Sequence, residues 1–169
     1  MNYFNGFSLK GEEVLFKEQL IDGDYVVAGF SYGAQKAFEY VYSSSKRVDR
    51  LILLSPAFFQ EEKKSFIKMQ LRYFKTNKKS YIENFLNNVA SPSSEDLTPF
   101  LCEGSIEELE ELLSYVWDRD KIQEIIKRGV TIEVFMGDED KIVNSNKSRA
   151  FFSEFATLYY IKGVGHLLK

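Results

Sequence analysis

One histidine, one cysteine and three prolines are all that this 169-residue chain offers of those three residue types. Each scarcity excludes something. A lone Cys102 forbids an internal disulfide and fits a reducing compartment. One histidine and one cysteine leave too few soft ligands for a zinc site, so no metal and no cofactor are expected. Three prolines leave little room for a stiff linker, and no repeat or low-complexity tract divides the chain. No apolar run reaches membrane-spanning length. The first residues lack a basic stretch followed by a long apolar one, so no signal peptide and a cytoplasmic location are expected. At this length, with 44% hydrophobic residues, one folded domain over 1–169 is expected.

What is present concentrates in the run Tyr25-Val26-Val27-Ala28-Gly29-Phe30-Ser31-Tyr32-Gly33-Ala34. A β-branched, buried-type strand runs into Gly-x-Ser-x-Gly. Ala34, Ala37, Phe38 and Val41 then recur at helical spacing. This is the signature of a nucleophile elbow, a strand-to-helix turn that exposes a serine hydroxyl at a helix N-terminus. A bare glycine-serine pentapeptide carries little weight, but the strand before it and the helix after it supply the required context.

Further strands are expected at Asn2–Phe4, Val48–Leu54, Thr131–Met136 and Ala156–Ile161. The continuous run Leu51-Ile52-Leu53-Leu54 suits a strand buried on both faces. Residues 61–128 show helical patterns and no convincing strand, with Ser105 a candidate helix cap. A further helix is expected around Ser145–Phe155. Strands alternating with helices predict a mostly parallel sheet with right-handed crossovers.

In such sheets the sites lie at the strands' carboxyl ends. Ser31 follows the second strand there, Asp138, Glu139 and Asp140 the fourth, and His166 the fifth. The order serine, acid, histidine suits a nucleophile, the carboxylate that orients a base, and the base itself. His166 is the sole imidazole available to activate Ser31. Among the three acids Asp140 is preferred, because it precedes the apolar pair Ile142-Val143, which can anchor the loop. The oxyanion needs two backbone donors. Tyr32 is one, and Phe7, after Gly6, is the second nominee. An ordinary tight turn at Asn5-Gly6 stays open as the alternative.

Charge is unevenly spread. Residues 61–80 carry seven basic residues against two acidic ones, a local +5 on a chain of net charge -3. Lys63, Lys64, Lys68, Arg72 and Lys75 form a candidate docking face for an acidic partner, with a merely solvated helix face as the bland alternative. Nucleic acid is not the expected partner, because the whole chain is acidic and no reading motif surrounds the window.

Gly-Phe-Ser-Tyr-Gly at 29–33, Gly137-x-x-Asp140, Gly165-His166 and the intervening Val48–Pro56 together resemble the α/β-hydrolase superfamily. The start, Tyr3-Phe4-Asn5-Gly6-Phe7, and the short length resemble one branch, the short pimeloyl-acyl-carrier-protein methyl ester esterases of biotin synthesis. The resemblance implies a reduced α/β-hydrolase fold of about five strands, with a helical cap insertion over roughly 60–117. It implies a Ser31–His166–Asp140 triad and hydrolysis of the terminal methyl ester of a carrier-bound diacid. Acyl carrier protein is then the acidic partner. Asn-Gly stands in the oxyanion loop where many members carry His-Gly, and the superfamily's leading antiparallel strands have no counterpart here. A general carboxylesterase or thioesterase, and an inactive hydrolase-fold binding module, remain as alternatives. The sequence does not fix the oligomeric state.

Overall fold

The computed structural model describes residues 1–169. Five strands, β1 (Asn2–Phe4), β2 (Val26–Phe30), β3 (Arg50–Leu54), β4 (Thr131–Gly137) and β5 (Thr157–Ile161), form one sheet in the order β1-β2-β3-β4-β5. Every pairing is parallel, from Asn2 opposite Val27 at one edge to Gly137 opposite Ile161 at the other. The five-strand expectation therefore holds, and the third strand begins two residues later than expected. Asp49 instead makes loop bonds, its N–H donating to Tyr25 O at 2.9 Å and its carbonyl accepting from Thr131 at 2.9 Å.

Alternation along the strands divides the core. Val27, Leu51, Leu53, Ile132, Val134 and Met136 face one side, packed with residues of α1 (Tyr32–Ser43), α5 (Arg119–Lys127) and α6 (Ser145–Phe152). Trp117 is buried in this layer against Phe38 and Phe152, and its indole N–H donates to Ala57 O at 2.9 Å. Val26, Ala28, Phe30, Ile52 and Leu54 face the other side. That side is covered by Leu9, by Phe16 of a 3-10 helix over Glu12–Phe16, and by Val89, Leu97, Leu167 and Leu168.

Between β3 and β4 lie α2 (Lys64–Thr76), α3 (Lys78–Ala90) and α4 (Ile106–Ser114), followed by α5. Ser105 caps α4 in a reciprocal capping box with Glu108. Their apolar faces form a third cluster in which Phe74, Ile82, Leu109, Leu112 and Leu113 meet Phe7, Tyr32, Ala57 and Val143. Tyr32 and Val143 lie just past β2 and β4, so these helices lie over the strands' carboxyl edge.

Candidate active site

β2 is buried along its whole length and ends in Ser31, whose φ is +54° and ψ -111°. A side chain in that backbone region costs roughly 1–3 kcal/mol and persists only where its surroundings impose it. Here they do. Ser31 N–H donates to Leu54 O at 2.9 Å, and Ser31 O accepts from Ala34 and Ala57 at 3.1 and 3.2 Å. The two motif glycines allow the turn to close. A Cβ on Gly29 would lie 2.5 Å from Gly33 C. A Cβ on Gly33 would collide with Phe4 O and lie 2.5 Å from Asn5 O. Nothing larger than hydrogen fits at either place, and the second contact seats the end of β1 directly on the elbow.

The loops after β4 and β5 meet. His166 Nδ1 lies 2.6 Å from Asp140 Oδ2, and both side chains are sealed, at 0% and 1% exposure. A carboxylate can only accept, so Nδ1 donates to Asp140, and in the neutral imidazole Nε2 then presents a lone pair. The other Asp140 oxygen accepts from Ile142 N–H at 2.7 Å and Val143 N–H at 3.1 Å. The acid is thereby fixed by its own turn. The His166 carbonyl accepts from Ser55 Oγ at 2.7 Å, and the ring centroid lies 5.0 Å from that of Phe30, the residue before Ser31. His166 Nε2 is buried and has no hydrogen-bond partner, Ser31 Oγ included. Asp138 and Glu139 are exposed and engaged elsewhere: Asp138 Oδ1 accepts from Gly163 N–H at 2.7 Å, and Glu139 N–H donates to Val164 O at 3.0 Å. Of the three candidate acids, the structure brings Asp140 to the imidazole.

Phe7 is buried, and its backbone N–H makes no hydrogen bond within the protein. Tyr32 opens α1, and its hydroxyl donates to Glu111 Oε2 of α4 at 2.7 Å. Burial, and then Glu111, push the Tyr32 phenol above its ordinary range, so it stays neutral. Two side chains shape the loop that carries Phe7. Asn5 Oδ1 accepts from Gly11 N–H at 2.9 Å, and Glu12 Oε1 accepts from Gly6 N–H at 2.7 Å. Glu12 carries no signal in the sequence, where it is one of two adjacent acids in a short polar segment.

Ser31 is 2% exposed, so the site is closed beneath the helices that precede β4. A cavity of about 520 Å³ lies among α2, α3, α4 and the acid turn. Phe66, Tyr81, Phe85 and Leu112 give it apolar walls, Asn84 a polar one, and Lys141, next to Asp140, its cation. On α2, Lys64, Lys68, Arg72 and Lys75 fall on one helical face. With Lys63 before them they are exposed, and none forms an ion pair. Their neighbours differ: Lys78 reaches Glu103 at 2.9 Å and Lys147 reaches Glu62 at 3.2 Å. Cys102 is half-buried, and burial holds its thiol above the ordinary range, as suits a packing residue. No helix is long and apolar enough to cross a membrane.

The sheet, the elbow and the serine–acid–histidine order together define an α/β-hydrolase fold. Solved structures agree. BioG from Haemophilus influenzae superposes with a TM-score of 0.63 at 13% identity, over 98% of this chain and 87% of that one. The carboxylesterase CesB from Bacillus subtilis gives 0.56 at 18% identity, over 93% of this chain and 57% of its own. Naproxen esterase from the same organism gives 0.55 at 20% identity, over 85% and 53%. The chain thus spans little more than half the length of these two Bacillus esterases. No protein-family model and no curated protein matches it by sequence.

Proposed function

We propose that this chain is a serine esterase that removes the methyl group from the terminal ester of pimeloyl-acyl carrier protein methyl ester. The observation that carries the esterase reading is the sealed Asp140–His166 pair, with a free Nε2, packed against the strand that delivers Ser31. Ser31 attacks the ester carbonyl while His166 Nε2 takes its proton. The tetrahedral oxyanion is met by the backbone N–H groups of Tyr32 and Phe7. The imidazolium then gives its proton to the departing methoxide, and methanol leaves. Water enters and attacks the acyl carbonyl while losing a proton to His166; the acyl–Oγ bond breaks, Ser31 Oγ takes that proton back, and the carboxylic acid product leaves. Asp140 holds the tautomer throughout and stabilises the imidazolium.

The carrier-bound substrate is supported by two features. The unpaired cations of α2 present a face suited to a small acidic protein. The match to BioG covers most of both chains, in keeping with the short branch that the sequence resembles. Docking also supplies selectivity. Thioester and oxygen ester are both open to a serine, and a carrier seated on α2 with its arm extended delivers only the distal ester. The decisive assay is mass spectrometry of the carrier-bound methyl ester after incubation. The expected product has lost one methylene's mass and keeps its thioester. Release of the free carrier would point to a thioesterase, and turnover of short nitrophenyl esters alone to a general carboxylesterase. Reversing the charges of Lys64, Lys68 and Arg72 is expected to raise KM for the carrier-bound ester about tenfold and to spare a small soluble ester. Equal losses on both would refute the dock.

A further inference from the structure

Glu12 is 0% exposed and has no cation beside it. A buried carboxyl without a counter-charge is expensive, and an apolar residue at that place would cost less. What the carboxyl holds is specific. Its Oε1 accepts from Gly6 N–H at 2.7 Å and from the Tyr3 hydroxyl of β1 at 3.3 Å.

The geometry that follows is dictated by planar peptides. Gly6 C=O and Phe7 N–H belong to one trans unit and point in opposite directions. The Gly6 carbonyl is fixed by Leu9 N–H at 3.2 Å, so the Phe7 N–H is turned the other way, where it meets no protein acceptor. The preceding unit carries the Gly6 N–H that Glu12 grips. The two peptides flanking Gly6 are therefore fixed by one hydrogen bond each, while Gly6 itself lies close against the Phe30 ring, where a Cβ would come within 2.8 Å. The start of the same loop rests on Gly33, beside Tyr32.

We propose that Glu12 is a positioning residue: its carboxyl clamps the Gly6 peptide and so holds the Phe7 N–H as an oxyanion donor for the Ser31 reaction. The inference rests on the serine esterase reading. It accounts for a buried carboxyl in the same short helix as Phe16, whose ring packs on Phe30. It also gives the acid in Asn5-Gly6-Phe7-Ser8-Leu9-Lys10-Gly11-Glu12 a task that a plain tight turn would not need.

The test compares wild type, Glu12→Gln, Glu12→Leu and Ser31→Ala on a nitrophenyl ester, with amide hydrogen exchange read at Gly6. A carboxamide oxygen still accepts from Gly6 N–H, whereas leucine cannot. Glu12→Leu is expected to lower kcat about 100-fold, the loss typical of one oxyanion donor, with KM within about threefold. Glu12→Gln is expected to recover kcat to within about fivefold. Gly6 exchange should be slow in wild type and Glu12→Gln, and fast in Glu12→Leu. Wild-type kcat in Glu12→Leu, equal losses in the Gln and Leu variants, or an unprotected Gly6 in wild type would each overturn the proposal. Should the leucine variant not fold, the Gly6 exchange of wild type and Glu12→Gln decides the matter alone. Failure of the esterase reading looks different: Ser31→Ala would then turn over ester as wild type does, while Gly6 stayed protected.

Discussion

Gly33→Ala adds one methyl group and tests how the elbow is seated. The added carbon would lie 2.5 Å from Asn5 O, against an ordinary contact of 3.4 Å or more, and closer still to Phe4 O. The chain must yield by more than about 1 Å, and what it meets is backbone at the end of β1, with no flexible side chain to swing aside. Two responses are open. The start of the Asn5–Phe7 loop lifts away from the elbow, or the first turn of α1 tilts and carries Ser31 and Tyr32 with it. Each separates the two proposed oxyanion donors by a distance that costs about 100-fold in rate. Overpacking of this kind also destabilises by roughly 1–3 kcal/mol. The assay is kcat on a nitrophenyl ester beside a thermal melt. A Gly33→Ala protein with wild-type kcat and melting temperature would show that β1 does not rest on the elbow, and the proposed oxyanion pair would fall with it.

Asp140→Asn is expected to keep the fold and lower kcat by about 10⁴, since a carboxamide donor favours the wrong imidazole tautomer. A loss under tenfold would remove Asp140 from the proposed triad. Glu12 gives a pH prediction. Burial raises its carboxyl above the ordinary range against the opposing pull of its hydrogen bond to Gly6. The folded state then binds the proton more tightly than the unfolded one. The stability that this provides is complete below the ordinary carboxylate range and is lost as pH rises through the folded value. Urea melts of wild type and Glu12→Gln should therefore diverge as pH rises from 4 to 8, wild type falling behind. A constant difference would contradict a raised Glu12.

The features that the sequence states openly are those with a repeating or steric cause. The elbow is legible because Gly29 and Gly33 are forced by atoms that come within contact distance of them. β3 is legible because Leu51, Ile52, Leu53 and Leu54 are buried on alternate faces, which demands a continuous apolar run. Ser105 is legible because its capping box needs Glu108 three residues on. Features joined only in space leave no such trace. Nothing near Ser91 says that a Cβ on Gly165 would strike the Ser91 carbonyl, so that the turn after α3 shores up the histidine loop. Gln35 reads as one more polar residue of a surface helix. It is buried, and its amide donates to Ala57 O and Leu112 O, both at 3.1 Å, tying α1 to the loop after β3 and to α4. Asp140 stands out from its two acidic neighbours only through the following pair Ile142-Val143, whose N–H groups grip its Oδ1, while which acid turns inward after β4 is written only in space.

The imidazole itself carries the argument for chemistry over structure. A histidine kept for packing uses both ring nitrogens, because an unpartnered buried acceptor costs roughly 1–3 kcal/mol. His166 is held at its carbonyl by Ser55, at its ring face by Phe30 and at Nδ1 by Asp140. Every restraint leaves Nε2 out, and Nε2 is the one edge without a partner. Ser55 adopts a φ of +41° at the end of β3, a positive value that it shares with Ser31 and Ser8, and its hydroxyl is spent on the His166 carbonyl. Strain at Ser31 and Ser55, with an unbonded nitrogen in a sealed space, is a cost that packing alone does not call for. The arrangement makes sense where that nitrogen has a proton to receive, and Ser31, next in the chain to the Phe30 on which the ring packs, is the hydroxyl proposed to supply it.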